Sequence, residues 1–476
     1  MKVLFIAAEA APFIKTGGLG DVIGALPKYM KKEGVDARVV MPLYSKIDRQ
    51  KYNINFSKYI YVGLGWRHTY CGIFETVYEG VHFYFIDNEQ YFNRNNIYGE
   101  VDDGERFAFF SKASLDILPN IDFKPDIINS NDWHAALSIV YLDEYKKKQY
   151  DFYKNIKSVF SIHNVEFQGK YNPYILGSLF GLGNEYLNIM SFDNDLNLLK
   201  GAVQLADRVS TVSENYANEL LNPYFSFGLS PIFEQERWKL RGITNGIDYN
   251  KFNPETDKNI SSNYTAKKFV YENKKKNKRE LQKMMGLEVN DEIPVIGMVT
   301  RLTDQKGINL ILEVYEQILN MGTQLIILGT GDSYYEDRLR EMEYNRHDRA
   351  RAIIKFSEEM SLKIYAGSDI YLMPSKSEPC GLSQLIAMRY GTIPVVNRVG
   401  GLRDTVEPFN NETKTGRGFT FENFNAYDML DGIKRALDVF YYDINSWGDV
   451  VKNAMNYDSS WKNSAKKYIS MYEEIL

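Results

Sequence analysis

Lys15-Thr16-Gly17-Gly18-Leu19-Gly20-Asp21 follows closely on the apolar run at 3–8. A strand leading into a glycine loop that opens a helix over 22–30 presents backbone N–H groups where the helix dipole is positive, which makes a seat for an anion. Three glycines let the main chain approach a ligand without Cβ clashes, and Lys15 adds a full positive charge. The spacing is neither G-x-G-x-x-G nor a Walker loop, so a plain tight turn is the competing reading. Thr300-Arg301-Leu302-Thr303-Asp304-Gln305-Lys306-Gly307 likewise runs from a strand into a helix. Arg301 offers a fork to phosphate oxygens and Lys306 a point charge; either alone reads as surface, and together they suit a diphosphate. A third such loop, Ser377-Glu378-Pro379-Cys380-Gly381-Leu382-Ser383, sets Glu378 before a helix N-terminus, where capping is the simpler role. Cys380 lies where thiolates are favoured, although a small pocket-lining residue is the stronger reading. His163 ends an apolar strand and reads on its own as a hydrogen-bonded core histidine. His68, His82 and His347 show no ligand spacing.

The elements that must hold these loops alternate. Apolar segments at 3–8, 37–41, 127–129, 158–162 and 208–212 read as buried strands, with helices over 22–30, 105–117, 135–145 and 196–206 between them. That alternation is the pattern of a parallel, doubly wound sheet. Alternating apolar and polar residues between 56 and 85 suggest an antiparallel insertion. The composition turns polar over 253–292, which suits a linker or a surface helix and a hinge for closure, with Lys274-Lys275-Lys276-Asn277-Lys278-Arg279 as a solvated face. Strands then recur at 295–299, 324–328, 352–356, 370–373 and 393–396, with helices near 308–319, 382–389 and 426–439 and a terminal helix over 459–475. Two open α/β sheets in series turn their strand carboxyl ends toward a shared cleft, where ligands of such folds bind.

Hydrophobic residues make up 44% of the chain and charged residues 25%, the balance of a globular protein of two domains. A net charge of −5 argues against nucleic-acid or anionic-membrane partners. Two cysteines far apart and no long apolar stretch point to a reducing, cytoplasmic setting. The 35 Tyr and 27 Phe suit sugar stacking, although a general compositional bias accounts for much of their number.

The loops above, together with Asn131-Asp132-Trp133-His134-Ala135, Ser161-Ile162-His163-Asn164, Asn245-Gly246-Ile247-Asp248 and Gly400-Gly401-Leu402-Arg403-Asp404-Thr405-Val406, occur in the order and approximate spacing of bacterial glycogen synthases. The chain resembles that family, whose plant relatives are the starch synthases, essentially from end to end. The resemblance implies an α/β fold of GT-B type, two Rossmann-like doubly wound domains facing across a cleft. Residues 1–250 would form the acceptor side and 251–455 the nucleotide-sugar side, with a helix at 456–476 returning to the first domain. It implies retaining transfer of glucose from ADP-glucose, a substrate rather than a cofactor, to the non-reducing end of an α-1,4-glucan such as glycogen or a malto-oligosaccharide.

Carried onto this sequence, the resemblance implies a catalytic set of Glu378, His163, Lys15, Arg301, Lys306 and Asp132. Lys15, Arg301 and Lys306 would hold the diphosphate beside Gly17 and Gly18. Glu378 would orient the glucosyl ring, with the N–H groups of Cys380 and Gly381 and the adjoining Leu382 on the donor. His163 and Asn245 would meet sugar hydroxyls or the developing cation, Asp132 and Asp21 would lie near the donor glucose and the acceptor path, and Gly401 to Thr405 would border the phosphates or base. Related transferases often carry a second glutamate eight positions on from the first, for the ribose; here Ile386 stands there. Three cations can replace a metal on the leaving diphosphate. Asp193-Asn194-Asp195 matches a short cation-holding pattern, but it precedes a helical stretch where Asp is a natural cap, so no metal is expected. No carboxylate nucleophile stands out for retention, so the departing phosphate oxygen is the expected base. A UDP-glucose-using transferase and a non-catalytic glucan-binding protein on the same fold are the alternatives.

Overall fold

The structure, a computed structural model, describes residues 1–267 and 270–476. The chain divides into one unit of Met1–Asn245 with Trp461–Leu476, and a second of Gly246–Ser460.

In the first unit the strands are β1 (Lys2–Ile6), β2 (Asp36–Pro42), β3 (Asn55–Leu64), β4 (Arg67–Tyr78), β5 (Val81–Asp87), β6 (Ile127–Asn131), β7 (Lys157–Ile162), β8 (Lys170–Tyr171), β9 (Ser191–Phe192), β10 (Asp195–Asn197), β11 (Arg208–Thr211) and β12 (Leu240–Gly242). Nine of them form one sheet in the order β12-β11-β7-β6-β1-β2-β5-β4-β3. It is parallel from β12 to β5, and β4 and β3 extend it as an antiparallel edge. Val3 to Ile6 are fully buried because helices cover both faces of a parallel sheet. The terminal helix Trp461–Glu473 packs on the helix Gly18–Lys32, and the Asn129 amide donates to the Tyr472 hydroxyl at 2.6 Å.

In the second unit β13 (Val295–Val299), β14 (Gln324–Gly329), β15 (Ala350–Ile354), β16 (Ile370–Met373), β17 (Ile393–Asn397) and β18 (Phe419–Phe421) form an all-parallel sheet, ordered β15-β14-β13-β16-β17-β18. Its core joins strand residues such as Ile296, Leu372 and Val395 to Ile308, Ile311 and Leu385 from the flanking helices.

Sequence expectations are corrected at four places in the chain. Of the two readings of the polar stretch at 253–292, the helix holds and the linker does not: Val270–Met284 is a helix packed into the second unit, and residues 268 and 269 within that stretch lie outside the described residues. Its lysine run is a solvated face only in part: Lys275, Lys276 and Arg279 are exposed, whereas Lys274 and Lys278 turn inward. Lys274 Nζ donates to Thr392 Oγ1 at 2.7 Å and to the carbonyls of Ala366 and Tyr390 at 3.1 Å, and Lys278 Nζ pairs with Asp369 at 2.8 Å. Those carbonyls end the helices Glu358–Gly367 and Ser383–Arg389, where a cation is favoured, whereas burial pulls Lys274 down to about 7. Second, β5 belongs to the main parallel sheet, so only β3 and β4 are an antiparallel addition. Third, the strand expected at 352–356 runs over Ala350–Ile354, which leaves Phe356 outside it. Fourth, Asp193 and Asn194 are no helix cap. Both have positive φ, 55° and 66°, and make the two-residue turn between β9 and β10, while Asn197 caps the following helix.

Candidate active site

On the first unit, the glycine loop is organised by a residue the sequence reading passed over. Glu9, 2% exposed, accepts the Thr16 N–H and, at 2.8 Å, the Thr16 hydroxyl, with a further backbone hydrogen bond from Gly20. Burial raises its pKa. Part of the N–H array at the start of the helix Gly18–Lys32 is thus already spent on an internal carboxylate. The glycines divide the work. A Cβ on Gly20 would stand 2.5 Å from Lys15 Cβ, and one on Gly24 2.5 Å from the Ala11 carbonyl, so these two permit close packing. Gly18 has no atom within 4 Å of such a Cβ and Gly17 only Glu9 Oε1 at 4.0 Å, so these two leave open space. Lys15 Nζ lies 2.6 and 2.8 Å from the Asp21 carboxylate oxygens, both side chains being partly exposed.

At the carboxyl ends of β6 and β7, Asp132 and His163 meet. The His163 N–H donates to Asp132 Oδ1 at 2.7 Å. Asp132 sits at φ 55°, ψ 178°, a conformation costly for a residue with a Cβ, and such strain concentrates at functional sites. Burial raises its carboxyl to about 7 against the lowering effect of the His163 and Asn164 N–H groups. His163 Nε2 is 2.9 Å from Asn131 Oδ1. Because the Asn131 amide nitrogen donates to the Asn129 carbonyl, Oδ1 must accept, and this assigns the imidazole proton to Nε2. Burial lowers His163 to about 4, so the ring is neutral at pH 7. Asn245 is buried and its Oδ1 has no hydrogen-bond partner among the described residues.

Next to Asp132 lies a cluster that the sequence reading did not assign. His134 packs against Trp133, Tyr98 and Phe107 with ring centroids 4.1, 4.3 and 4.7 Å away. Burial, then the nearby Arg106 charge, lowers His134 to about 3. Fully buried Arg106 pairs with Asp103 at 2.7 Å, yet its Nε and Nη2, like His134 Nδ1, lack partners among the described residues. Unpartnered buried polar atoms are rare and mark places where a polar ligand or water completes the set. The available signal was the Asp132-Trp133-His134 motif, read only for its aspartate.

On the second unit, Lys306 Nζ lies 2.6 Å from Glu378 Oε2, and Ser375 Oγ donates to the same oxygen at 3.1 Å. Glu378 therefore does not cap the helix Ser383–Arg389; it is a buried, paired carboxylate. The two loops are stitched by Gln305, whose side chain donates to the Ser377 carbonyl at 3.2 Å and whose carbonyl accepts the Lys376 N–H at 2.9 Å. Gly307, at φ 73°, comes so close that a Cβ would stand 2.2 Å from the Pro374 carbonyl. Gln384 donates to the Cys380 and Gly381 carbonyls at 3.0 Å and to Thr405 Oγ1 at 3.1 Å, while the Gly401 N–H donates to the Glu378 carbonyl at 3.0 Å. Lys306, Glu378, Cys380, Gly381, Leu382, Gly401 and Thr405 are thus brought together. Thr405 is fully buried with its hydroxyl bonded to the Gly401 carbonyl at 2.7 Å, so it braces the loop from behind. Arg301 is exposed and has no ion pair among the described residues. Phe356, also unassigned from sequence, follows β15 and is 85% exposed. Ile386 is buried.

Two family models match, the starch synthase catalytic domain over residues 2–235 and glycosyl transferases group 1 over 282–439. The chain is 49% identical to a glycogen synthase of Clostridium botulinum (strain Alaska E43 / Type E3) over all of this chain and 99% of that one. The chain belongs to the glycogen synthase family. Among glycogen synthases it is also 48% identical to that of Finegoldia magna, with both chains covered completely. The fold is GT-B: the catalytic domain of starch synthase IV from Arabidopsis thaliana, bound to ADP and acarbose, matches with a TM-score of 0.91 at 33% identity over 99% of both chains. A sucrose-phosphate synthase from Thermosynechococcus elongatus, at 16% identity and a TM-score of 0.62, shares the fold alone. As a glycogen synthase family member the chain is a glucosyltransferase. Among the described residues, no helix is long and apolar enough to cross a membrane, and no three His, Cys, Asp or Glu side chains gather as a metal site.

Proposed function

We propose that the chain transfers glucose from ADP-glucose to the non-reducing end of an α-1,4-glucan with retention, the first unit serving the acceptor and the second the nucleotide sugar. The observation that carries this reading is the buried Lys306–Glu378 pair with exposed Arg301, unpaired among the described residues, on the same loop. Glu378 fixes the Lys306 ammonium, and Arg301 remains available to phosphate oxygens. Lys15 supplies a third cation, exchanging Asp21 for the donor. As the bond from C1 to the phosphate oxygen breaks, its electron pair stays on the diphosphate, where these cations stabilise it most strongly. The acceptor hydroxyl attacks C1 from the side of departure and gives its proton to the leaving phosphate oxygen, so the configuration is kept.

His163, neutral and with its proton fixed on Nε2, keeps Nδ1 as an acceptor toward a sugar hydroxyl. Asn245 Oδ1, Asp132 and the polar atoms around His134 and Arg106 are assigned to sugar hydroxyls. Phe356 is assigned to the base, since an exposed ring near the carboxyl edge of β15 suits stacking. The relative bound to ADP and acarbose supports this donor and acceptor chemistry. No cofactor is assigned. Cys71 and Cys380, both buried and outside any disulfide, fit a cytoplasmic setting. A panel of ADP-, UDP- and GDP-glucose with glycogen tests the donor: ADP-glucose is expected to lead in kcat/KM, and a lead by another nucleotide would overturn it.

A further inference from the structure

Asn397, the last residue of β17, is 1% exposed, and its amide is only half satisfied. Its Nδ2 donates to the Ser375 carbonyl at 2.9 Å, whereas its Oδ1 has no hydrogen-bond partner among the described residues. A buried amide oxygen without a partner costs stability, so packing alone does not account for an asparagine at this position. The sheet shows what the amide nitrogen is for. Pairing of β16 with β17 ends at Met373 opposite Val396, and Pro374 follows, with no N–H to carry the ladder further. The Asn397 side chain adds one more rung, to the Ser375 carbonyl, beyond the point where the two main chains part.

That rung fixes the start of the turn that carries Glu378. Buried Ser375 donates its hydroxyl to Glu378 Oε2 at 3.1 Å, the same oxygen that Lys306 Nζ meets at 2.6 Å. Gln305 holds the middle of the turn, at the Lys376 N–H and the Ser377 carbonyl, and the Gly401 N–H holds its end at the Glu378 carbonyl. Asn397 is the anchor at Ser375. We propose that Asn397 is a positioning residue for glucosyl transfer: by fixing the Ser375 main chain it aims the Ser375 hydroxyl at Glu378, and so holds Glu378 and the Lys306 ammonium in register with the donor. Buried behind the turn, it acts through Ser375 and not on the donor itself. A misplacement of about 1 Å in groups that act on the transition state costs up to ~10²-fold in rate, so a single hydrogen bond behind them carries weight that its own strength does not express.

The inference rests on the assignment of Lys306 and Glu378 to the donor, and the test separates the two. Asn397→Leu, a change to a side chain of similar size, removes the rung and the unpaired oxygen together; Asn397→Ala serves if leucine fails to fold. Melting temperatures and steady-state kinetics with ADP-glucose and glycogen are measured for these full-length variants, for Ser375→Ala, for Ser375→Ala/Asn397→Leu and for Lys306→Met. Asn397→Leu should melt within about 3 °C of wild type, because the carbonyl it strands offsets the amide oxygen it deletes. Its kcat should fall about ten- to thirtyfold with the KM for ADP-glucose within about twofold, the pattern of an interaction realised in the transition state. The double variant should fall no more than about twofold below the weaker single one, since both changes break one chain of contacts. A kcat within about twofold of wild type in the Asn397 variants while that of Lys306→Met falls would overturn the inference and leave the donor assignment standing. Activity lost only in step with the melting temperature, or losses that multiply in the double variant, would overturn it equally. A Lys306→Met enzyme with full kcat would overturn the donor assignment and this inference with it.

Discussion

Asp132→Asn should make the protein more stable at pH 8 while lowering its activity. The folded Asp132 carboxyl keeps its proton up to about 7, whereas an unfolded aspartate releases it near 3.8. Between those values the folded state binds more protons than the unfolded one, so this group lowers stability as pH rises, with the full cost reached above pH 7. A difference of about three units at ~1.4 kcal/mol each sets a ceiling of about 4 kcal/mol. Asparagine carries no charge to desolvate, retains an oxygen for the His163 N–H, and tolerates positive φ as aspartate does. The expected gain is about 2–4 kcal/mol at pH 8, each kcal/mol being worth about 2–4 °C in a transition of this size. Thermal scans at pH 8, 7, 6 and 5 should show the advantage shrinking steadily toward acid. A variant no more stable than wild type at pH 8, or an advantage independent of pH, would refute the reasoning.

Lys15→Ala should leave the melting temperature nearly unchanged, because a partly exposed ion pair with Asp21 is worth about 0–1 kcal/mol, while the KM for ADP-glucose rises sharply; steady-state kinetics check this. Lys306→Met should cut kcat by about 10²–10³-fold through the lost cation on the leaving group. Adding Glu378→Gln should recover stability but not activity, because the single change strands a buried carboxylate at a cost of about 3–5 kcal/mol. Lys274→Met removes the ammonium from two helix C-termini and should lower stability in urea melts by about 1–3 kcal/mol, with ADP-glucose kinetics of the folded fraction intact.

The alternation of apolar runs made both sheets legible in the sequence, because parallel strands buried on two faces leave little ambiguity in pattern. The Lys274 segment was not legible, since a lysine whose head reaches the carbonyls at helix ends looks in sequence like one in water. The partnership of Lys306 with Glu378 was equally hidden: 72 residues separate them, and only the crossover between β13 and β16 brings their loops together. Glu9 escaped notice because its part is to hold the loop above it, which no local pattern records. Phe356 was folded into a strand on its apolar character, whereas the strand ends at Ile354. His134 stood in a recognised motif, but only its unpartnered ring nitrogen in a buried setting marks it as part of a polar site.

The central claim is transfer of a glucosyl group from ADP-glucose to non-reducing ends with its anomeric configuration kept. Glycogen labelled by incubation with ADP-[14C]glucose in EDTA, then digested with β-amylase, tests it most directly. Label should enter the polymer and leave it as maltose, the product of α-1,4 linkages at non-reducing ends. Label that resists the digestion, or incorporation that requires a divalent metal, would contradict the account.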